Sequence, residues 1–465
     1  MTTESTDSAQ EPGSTATARR KEQRAWYFYD WANSAYVTTT GAVLFAPYLT
    51  SVAERAACGR VGTVENPCRA DLDVLGVSVS AGSLVFYVVT FTTVLSALVL
   101  PIVGAIADRS GKKRLLMARF AWLGSVAAGC MFFVTGPNWL LGAFLLLVAN
   151  LSLGASLVVY DAILCEIATP DERDRVSSRG WALGYLGGAL LLTFNLVLVT
   201  AHDTLGVDTA MAVRISLLSA GIWWGLFTWI PYRGIRDRPP VLAPATASGG
   251  LLRRSFGQLA ATLRETRRYP QTLLFLVGYL FYNDGMQTVI GSAAVYGEKQ
   301  LGFETSFLIA AILLVQFVAF GGALLFGRIA ASVGSRRTIM GGLVVWMIVV
   351  VSGYFLPARE MALFLFLAVG IGLVMGGTQA LSRSFFSQLI PRGREAEYFS
   401  LYQACERGTS WFGFLVFGLV HQWTDSYRPA IFALIVFFAA GLVLLSRLDP
   451  KRAIMEAGNV VPRVV

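Results

Sequence analysis

The chain has 465 residues, of which 55% are hydrophobic and only 14% are charged, and its mean hydropathy is +0.58. Soluble globular proteins carry charge on about 25% of their residues, so this composition excludes that class and predicts a membrane protein. A net charge of +9 would suit a nucleic-acid-binding protein, but here the basic residues fall in short loops between apolar runs, where they set orientation. We therefore expect the lipid bilayer, and no nucleic acid, as a partner.

Residues 1–24 are rich in Ser and Thr and end in a basic cluster, which predicts a disordered cytoplasmic segment without a cleavable signal peptide. Apolar runs follow, and a run of about 20 residues is enough to cross a bilayer. The sequence predicts an all-α multi-pass membrane protein with 12 transmembrane helices, six in a bundle at 25–232, six in a bundle at 271–447, and a cytoplasmic tail at 448–465. The predicted spans are 26–52, 74–107, 115–134, 138–164, 179–201 and 213–232, then 271–295, 305–328, 338–356, 361–389, 398–421 and 428–447.

Two landmarks of the first half have weaker copies in the second half. The loop GAIADRSGKKR, which begins at Gly104, aligns with GRIAASVGSRR, which begins at Gly327. The stretch around Pro170 aligns with the stretch around Pro391 at nearly the same separation. Such a duplication indicates a transporter built from two repeated halves.

The distribution of charge between the loops predicts the orientation. Loops on one side carry most of the arginines and lysines, whereas those on the other side are nearly bare. Basic loops stay in the cytoplasm, so we expect a cell-membrane protein with both termini inside. The polar stretch 233–270 predicts a cytoplasmic linker whose segment from Leu251 to Arg268 lies along the membrane surface as an amphipathic helix.

Cysteine and histidine usage argues against a metal site. Cys58 and Cys68 lie in the first outward loop, where a disulfide is feasible. There are only two histidines and no Cys-x-x-Cys pair, so no metal is expected. Ser110-Gly111-Lys112 lacks the remaining residues of a phosphate-binding loop. We expect no cofactor, and we expect ion gradients to supply the energy for transport.

Polar residues inside the spans are candidates for the site, since a charge in hydrocarbon costs about 2.5–3.5 kcal/mol on insertion scales. Tyr29, Asn33 and Tyr36 share one face of the first span, with Asp30 near its inner end. Asp284 is the deepest acid, and it serves either substrate or proton binding or a structural hydrogen bond. The candidate substrate- or ion-binding residues are Tyr29, Asp30, Asn33, Tyr36, Trp181, Tyr185, Asn283, Asp284, Gln287, Gln316 and Glu406.

A second group of charged residues lies at or near the cytoplasmic ends of spans. We expect these residues to form ion pairs that hold the two halves together, with direct contact to substrate as the alternative. For Glu406, binding of a proton or substrate and pairing with Arg407 are equal alternatives. The predicted cytoplasmic gate consists of Asp108, Arg109, Asp161, Glu166, Arg383 and Arg407.

Several of these motifs resemble known ones. Gly104-x-x-x-Asp108-Arg109-x-Gly111-x-Lys113-Arg114 resembles the signature loop of the major facilitator superfamily. The stretches YDWANSA from Tyr29, EIATP from Glu166, GWALGYLGG from Gly180 and QALSRS from Gln379 resemble its vacuole effluxer-like branch. The resemblance implies 12 helices in two pseudo-symmetric six-helix bundles, alternating access, and an association with amino-acid export from the fungal vacuole.

We therefore expect a monomeric secondary transporter for a small-molecule substrate, coupled to a proton or sodium. Amino acids are the candidate solutes, and export is the favoured direction. The alternatives are a drug or metabolite efflux permease of the same superfamily, and a non-transporting receptor or scaffold on the same fold. A lipid-modifying enzyme is disfavoured, because His202 and His421 both lie at outward ends of spans.

Overall fold

The computed structural model describes residues 16–62, 68, 70–74, 76–241, 264, 267–408 and 410–465. The first 15 residues of the predicted disordered segment lie outside the described residues, as does most of the predicted amphipathic segment from Leu251 to Arg268. Residues 16–24, which were also predicted to be disordered, instead form the first turns of a helix. They are held there because Glu22 and Gln23 are buried against neighbouring elements.

The first half consists of helices joined by short connections, as expected for a membrane chain that must satisfy its backbone groups within each segment. A disulfide joins Cys58 to Cys68, with Cα atoms 6.0 Å apart. An antiparallel hairpin follows it, so the second span begins at Ala81 rather than at residue 74. The elements are α1 (Ala16–Tyr36), a π-helix (Val37–Leu44), α2 (Phe45–Cys58), β1 (Asp71–Val74), β2 (Val77–Ser80), α3 (Leu84–Asp108), α4 (Lys113–Cys130), α5 (Trp139–Ile167), α6 (Arg173–Thr200) and α7 (Thr209–Gly234).

The second half repeats this organisation. The predicted eleventh span consists of two helices, and the predicted tail begins with a short helix whose first turn is capped by Asp449. The elements are α8 (Pro270–Val295), a π-helix (Tyr296–Gln300), α9 (Thr305–Val333), α10 (Ser335–Phe355), α11 (Met361–Gln388), α12 (Glu395–Gly408), α13 (Ser410–Thr424), α14 (Tyr427–Ala433), α15 (Ile435–Arg447) and α16 (Pro450–Glu456).

Nine helices within the described residues are long and apolar enough to cross a membrane, which confirms the all-α membrane fold. They correspond to nine of the predicted spans. Helices also cover the first, seventh and eleventh predicted spans, but these carry more polar residues. The total of twelve transmembrane helices remains a prediction.

Helices pack against one another within each half and also across the boundary between the halves. In the first half α1 packs on α6 and α7, and in the second half α9 packs on α11 and α8 on α15. Between the halves, α3 contacts α12 and α6 contacts both α9 and α11. These contacts bring the charged ends of the helices together.

The molecule has two opposite faces at the ends of its helices. The basic face is formed by the helix ends that are joined through residues 109–112, 168–172, 235–241 and 389–394. The opposite face carries the Cys58–Cys68 disulfide and the hairpin.

Candidate functional site

Arg383 on α11 is the centre of a charge cluster that joins the two halves. Its Nη2 lies 2.9 Å from Asp30 Oδ2, and its Nη1 lies 3.4 Å from Asp161 Oδ1. The Arg383 side chain is 3% exposed, so both carboxylates compensate a charge that is removed from water. The Trp26 ring, 4.8 Å from the guanidinium carbon, contacts its face. Arg383 thus links two helices of the first half to the second half.

A second layer of polar groups extends this cluster along α12. Gln403 Nε2 donates to Asp161 Oδ2 at 3.0 Å and to Glu406 Oε2 at 3.2 Å. Its Oε1 accepts from Arg407 Nε at 3.2 Å. The neutral amide therefore connects Glu406 and Arg407 to the ion pairs of Arg383.

A central cavity lies beside these residues, between the two halves. Its empty volume is about 520 Å³ when the part that is open to solvent is included. Three carboxylates and two guanidinium groups contribute to its wall, so charges of both signs face the space. The lining residues are Asp30, Asn33, Ser34, Val37, Leu157, Asp161, Trp181, Arg383, Tyr402, Gln403, Glu406 and Arg407.

Asp108 connects the halves at the basic face. Its two carboxylate oxygens accept from the backbone N–H groups of Ala396 at 2.8 Å and Glu397 at 2.9 Å. These groups belong to the first turn of α12, whose unpaired N–H groups and dipole favour an acid at this position. Lys113 lies 3.6 Å from Asp108 and 2.8 Å from Glu166. The loop predicted as a signature therefore caps a helix of the other half.

Arg173 and Asp174 also bridge the halves, although neither is among the residues predicted from the sequence. The Asp174 carboxylate accepts from the hydroxyls of Ser335 and Ser384, each at 2.6 Å. Arg173 Nη1 donates to the Ser387 carbonyl at 2.7 Å. A signal was present, because both follow the Pro170 motif that has a copy in the second half.

The structure brings seven of the predicted residues into the cavity wall. Four come from the predicted binding set and three from the predicted gate. They are Asp30, Asn33, Trp181 and Glu406, and then Asp161, Arg383 and Arg407.

Tyr29 and Tyr36 lie elsewhere, although they are predicted to share a face with Asn33. Their hydroxyls bond to Ser156 at 2.5 Å and to Asn150 at 3.0 Å, inside the first half. Both tyrosines therefore face α5, whereas Asn33 lines the cavity together with Asp30.

Two other predicted binding residues join the halves outside the cavity wall. The Tyr185 hydroxyl donates to Gln379 Oε1. Gln316 Nε2 donates to Thr38 Oγ1 at 3.3 Å. Both bonds lie at the contacts of the first half with α9 and α11.

Asp284 accepts a backbone hydrogen bond, and its alternative role in binding substrate or a proton stays a prediction. It is fully buried, and its Oδ2 accepts from the Gly413 N–H at 2.9 Å. Asn283 donates to the Glu406 carbonyl at 3.1 Å. Both therefore brace the segment around the join of α12 and α13. Half-buried Gln287 is also absent from the cavity lining.

Four gate residues form no ion pair across the halves in the described part of the chain, although this was predicted for all six. Asp108 reaches α12 through backbone N–H groups, and Arg407 bonds to Gln403 of its own helix. Glu166 bonds to Lys113 and approaches Arg238 at 3.9 Å, so it stays within the first half and its linker. Arg109 is exposed at the end of α3, and the ion pairs among the described residues do not include it.

Comparisons with known proteins agree with this architecture. The profile of the family described as "Vacuole effluxer Atg22 like" matches residues 18–173 and 166–458. The chain is 30% identical to the uncharacterized MFS-type transporter YxiO of Bacillus subtilis, over 92% of this chain and 94% of that protein. It is 25% identical to autophagy-related protein 22 of Pyricularia oryzae, over 95% of this chain and 78% of that protein.

Solved structures show the same fold at low sequence identity. An outward-facing bacterial homologue of the iron transporter ferroportin matches 93% of this chain and 99% of that chain, with a TM-score of 0.65 and 14% identity. The major facilitator superfamily transporter FucP, in an outward conformation, also matches 93% of this chain and 99% of that chain, with a TM-score of 0.62 and 13% identity. The chain belongs to the vacuole effluxer Atg22-like family of major facilitator transporters, and it is a membrane transporter rather than an enzyme.

Proposed function

We propose that this transporter moves a small polar solute by alternating access, with amino acids as the candidate class and export as the favoured direction. The central cavity carries the proposal, because it lies between the two halves and presents both carboxylates and guanidinium groups. A zwitterionic solute needs partners of both signs. The family resemblance supports the choice of amino acids.

We propose proton or sodium coupling from the charge count of the cavity wall. Asp30, Asp161 and Glu406 contribute three carboxylates, whereas Arg383 and Arg407 contribute two guanidinium groups. Arg383 is fully engaged by Asp30 and Asp161. An uncompensated charge in this setting is costly, so a bound proton or cation at Glu406 would balance it. One charge that crosses 100 mV releases about 2.3 kcal/mol, enough for about a 50-fold solute gradient.

Uptake of radiolabelled amino acids, sugars and drugs into proteoliposomes, under an imposed proton or sodium gradient, tests the function. We expect at least one amino acid to accumulate in response to one of the gradients. In Glu406→Gln we expect gradient-driven accumulation to be lost while solute exchange without a gradient is retained. Glu298→Gln is the matched control, since Glu298 is exposed on the opposite face beside Lys299.

This experiment tests the identity of the substrate independently of the coupling to an ion gradient. If no compound of the panel enters faster than it enters empty liposomes, the solute class is wrong. Should Glu406→Gln accumulate solute as the unchanged protein does, Glu406 has no part in coupling. A drug that accumulates in place of amino acids would identify the efflux-permease alternative.

A further inference from the structure

Four arginines surround a second cavity, at the basic face and away from the central one. Arg20 and Arg24 lie one turn apart on α1, and Arg175 and Arg179 lie one turn apart on α6. The volume is about 570 Å³, including the part open to solvent, and Gln23 and Tyr27 complete the lining. All four arginines are exposed, and none of them lines the central cavity.

This arginine cavity is poorly neutralised by the described residues around it. Glu172 lies 3.2 Å from Arg19 Nε and 3.7 Å from Arg175 Nη2. The ion pairs among the described residues include none for Arg20, Arg24 or Arg179. Clustered cations repel one another, and guanidinium groups bind phosphate through paired hydrogen bonds. The cavity therefore has the chemistry of a phosphate-binding site.

The position of the arginine cavity indicates where its ligand comes from. Arg175 and Arg179 begin a stripe at helical spacing that continues along α6 to Leu190, Phe194 and Val197. These three apolar side chains are 43%, 59% and 60% exposed, although α6 is a candidate membrane span. An exposed apolar stripe on a spanning helix faces acyl chains, so the arginines at its end lie at headgroup level.

We propose that the arginine cavity binds the headgroup of an anionic phospholipid, whose acyl chains lie along the exposed stripe of α6. The phosphate would contact arginines of both helices and so bridge the basic-face ends of α1 and α6. A freely diffusing phosphate compound would use the same guanidinium groups but would gain nothing from the apolar stripe.

Native mass spectrometry of the full-length protein tests the site by titration with phosphatidylglycerol and, in parallel, with phosphatidylcholine. Each basic side chain near a membrane surface strengthens anionic-lipid binding about fivefold, so Arg24→Gln/Arg179→Gln should weaken phosphatidylglycerol binding about 30-fold. Phosphatidylcholine binding should not change. The matched control is Arg337→Gln/Arg392→Gln, which removes two exposed arginines of the same face outside the cavity. We expect it to bind phosphatidylglycerol as the unchanged protein does.

Three results would overturn the proposal. The first is unchanged phosphatidylglycerol affinity in the cavity variant, and the second is an equal loss in both double variants, which would indicate general charge attraction. The third is competition by millimolar inorganic phosphate, which would indicate a soluble ligand. If the double variant cannot be purified, Arg24→Gln and Arg179→Gln are measured singly, and a loss of about fivefold in each supports the site.

Discussion

At the scale of single residues, Gly104 shows how closely the two halves approach at the basic face. A Cβ atom added there would lie 2.5 Å from the Ala396 carbonyl oxygen, which is backbone of the other half and cannot rotate away. The residue thus permits the approach that lets Asp108 reach the first turn of α12.

Gly104→Ala should therefore prevent this close contact and favour separation of the halves at the basic face. We expect a cysteine placed at Ser387 to react with maleimide at least severalfold faster in Gly104→Ala than in the unchanged background, because Ser387 is buried between the halves. Gly341→Ala is the control, since the space around Gly341 on α10 is open. Equal reactivity in both variants would show that the approach at Gly104 does not hold this face closed.

Arg383 illustrates a second effect at this scale, the cost of an unpaired buried charge. Arg383→Gln leaves Asp30 and Asp161 buried without their cation, and breaking such a pair costs about 3–5 kcal/mol. We expect the melting temperature in detergent to fall by about 5 °C or more. The exposed Arg337→Gln should change it little.

A compensating variant tests the cause of that loss. Adding Asp30→Asn to Arg383→Gln removes one of the stranded carboxylates, so part of the lost melting temperature should return. If the double variant is as unstable as the sum of the two single variants, the ion pair is not what stabilises the contact.

At the scale of elements, the junction of α12 and α13 depends on α8. Asp284 accepts a hydrogen bond from the Gly413 N–H, and Asn283 donates one to the Glu406 carbonyl. These bonds hold the backbone near the junction of α12 and α13, the two helices that together cover the predicted eleventh span. The position of Glu406 in the cavity wall therefore depends on polar groups that lie outside the cavity.

Two substitutions of Asp284 separate a structural role from a coupling role. Asp284→Asn keeps an acceptor for Gly413, so we expect solute accumulation in proteoliposomes to be retained. Asp284→Ala leaves that N–H without a partner, which costs about 1–3 kcal/mol and lowers the melting temperature. Loss of ion-driven accumulation in Asp284→Asn, with a normal melting temperature, would instead make Asp284 a coupling residue.

At the scale of the whole molecule, the two faces differ in charge and in covalent chemistry. The basic face carries the loops that the positive-inside rule places in the cytoplasm. The opposite face carries the Cys58–Cys68 disulfide, which is stable in an oxidising compartment. Both features favour cytoplasmic termini.

Cysteine labelling on intact cells tests this orientation. In a background without Cys130, Cys165 and Cys405, a cysteine at Val460 in the exposed tail should react with a membrane-impermeant maleimide only after permeabilisation. A cysteine at Ala358, exposed between α10 and α11, should react without it. The reverse pattern would contradict the predicted topology.

The sequence by itself determined the class of the molecule. Long apolar runs must become helices in lipid, because no other open structure satisfies their backbone. The duplicated loop around Asp108 predicted two related halves. Charge within or at the ends of the spans selected Asp30, Asp161, Arg383 and Glu406, since a charge is retained there only where it has a partner.

Only the tertiary structure decided which of these residues meet. Helical periodicity places Tyr29 and Asp30 on adjacent stripes, but the packing of α1 between α5 and α6 buries the first and exposes the second to the cavity. Likewise, Asp108 and Arg109 are neighbours in sequence, yet only Asp108 points at the first turn of α12. Pairing between distant segments depends on how helices are rotated and spaced, and a single sequence specifies that only through the packing of the folded chain.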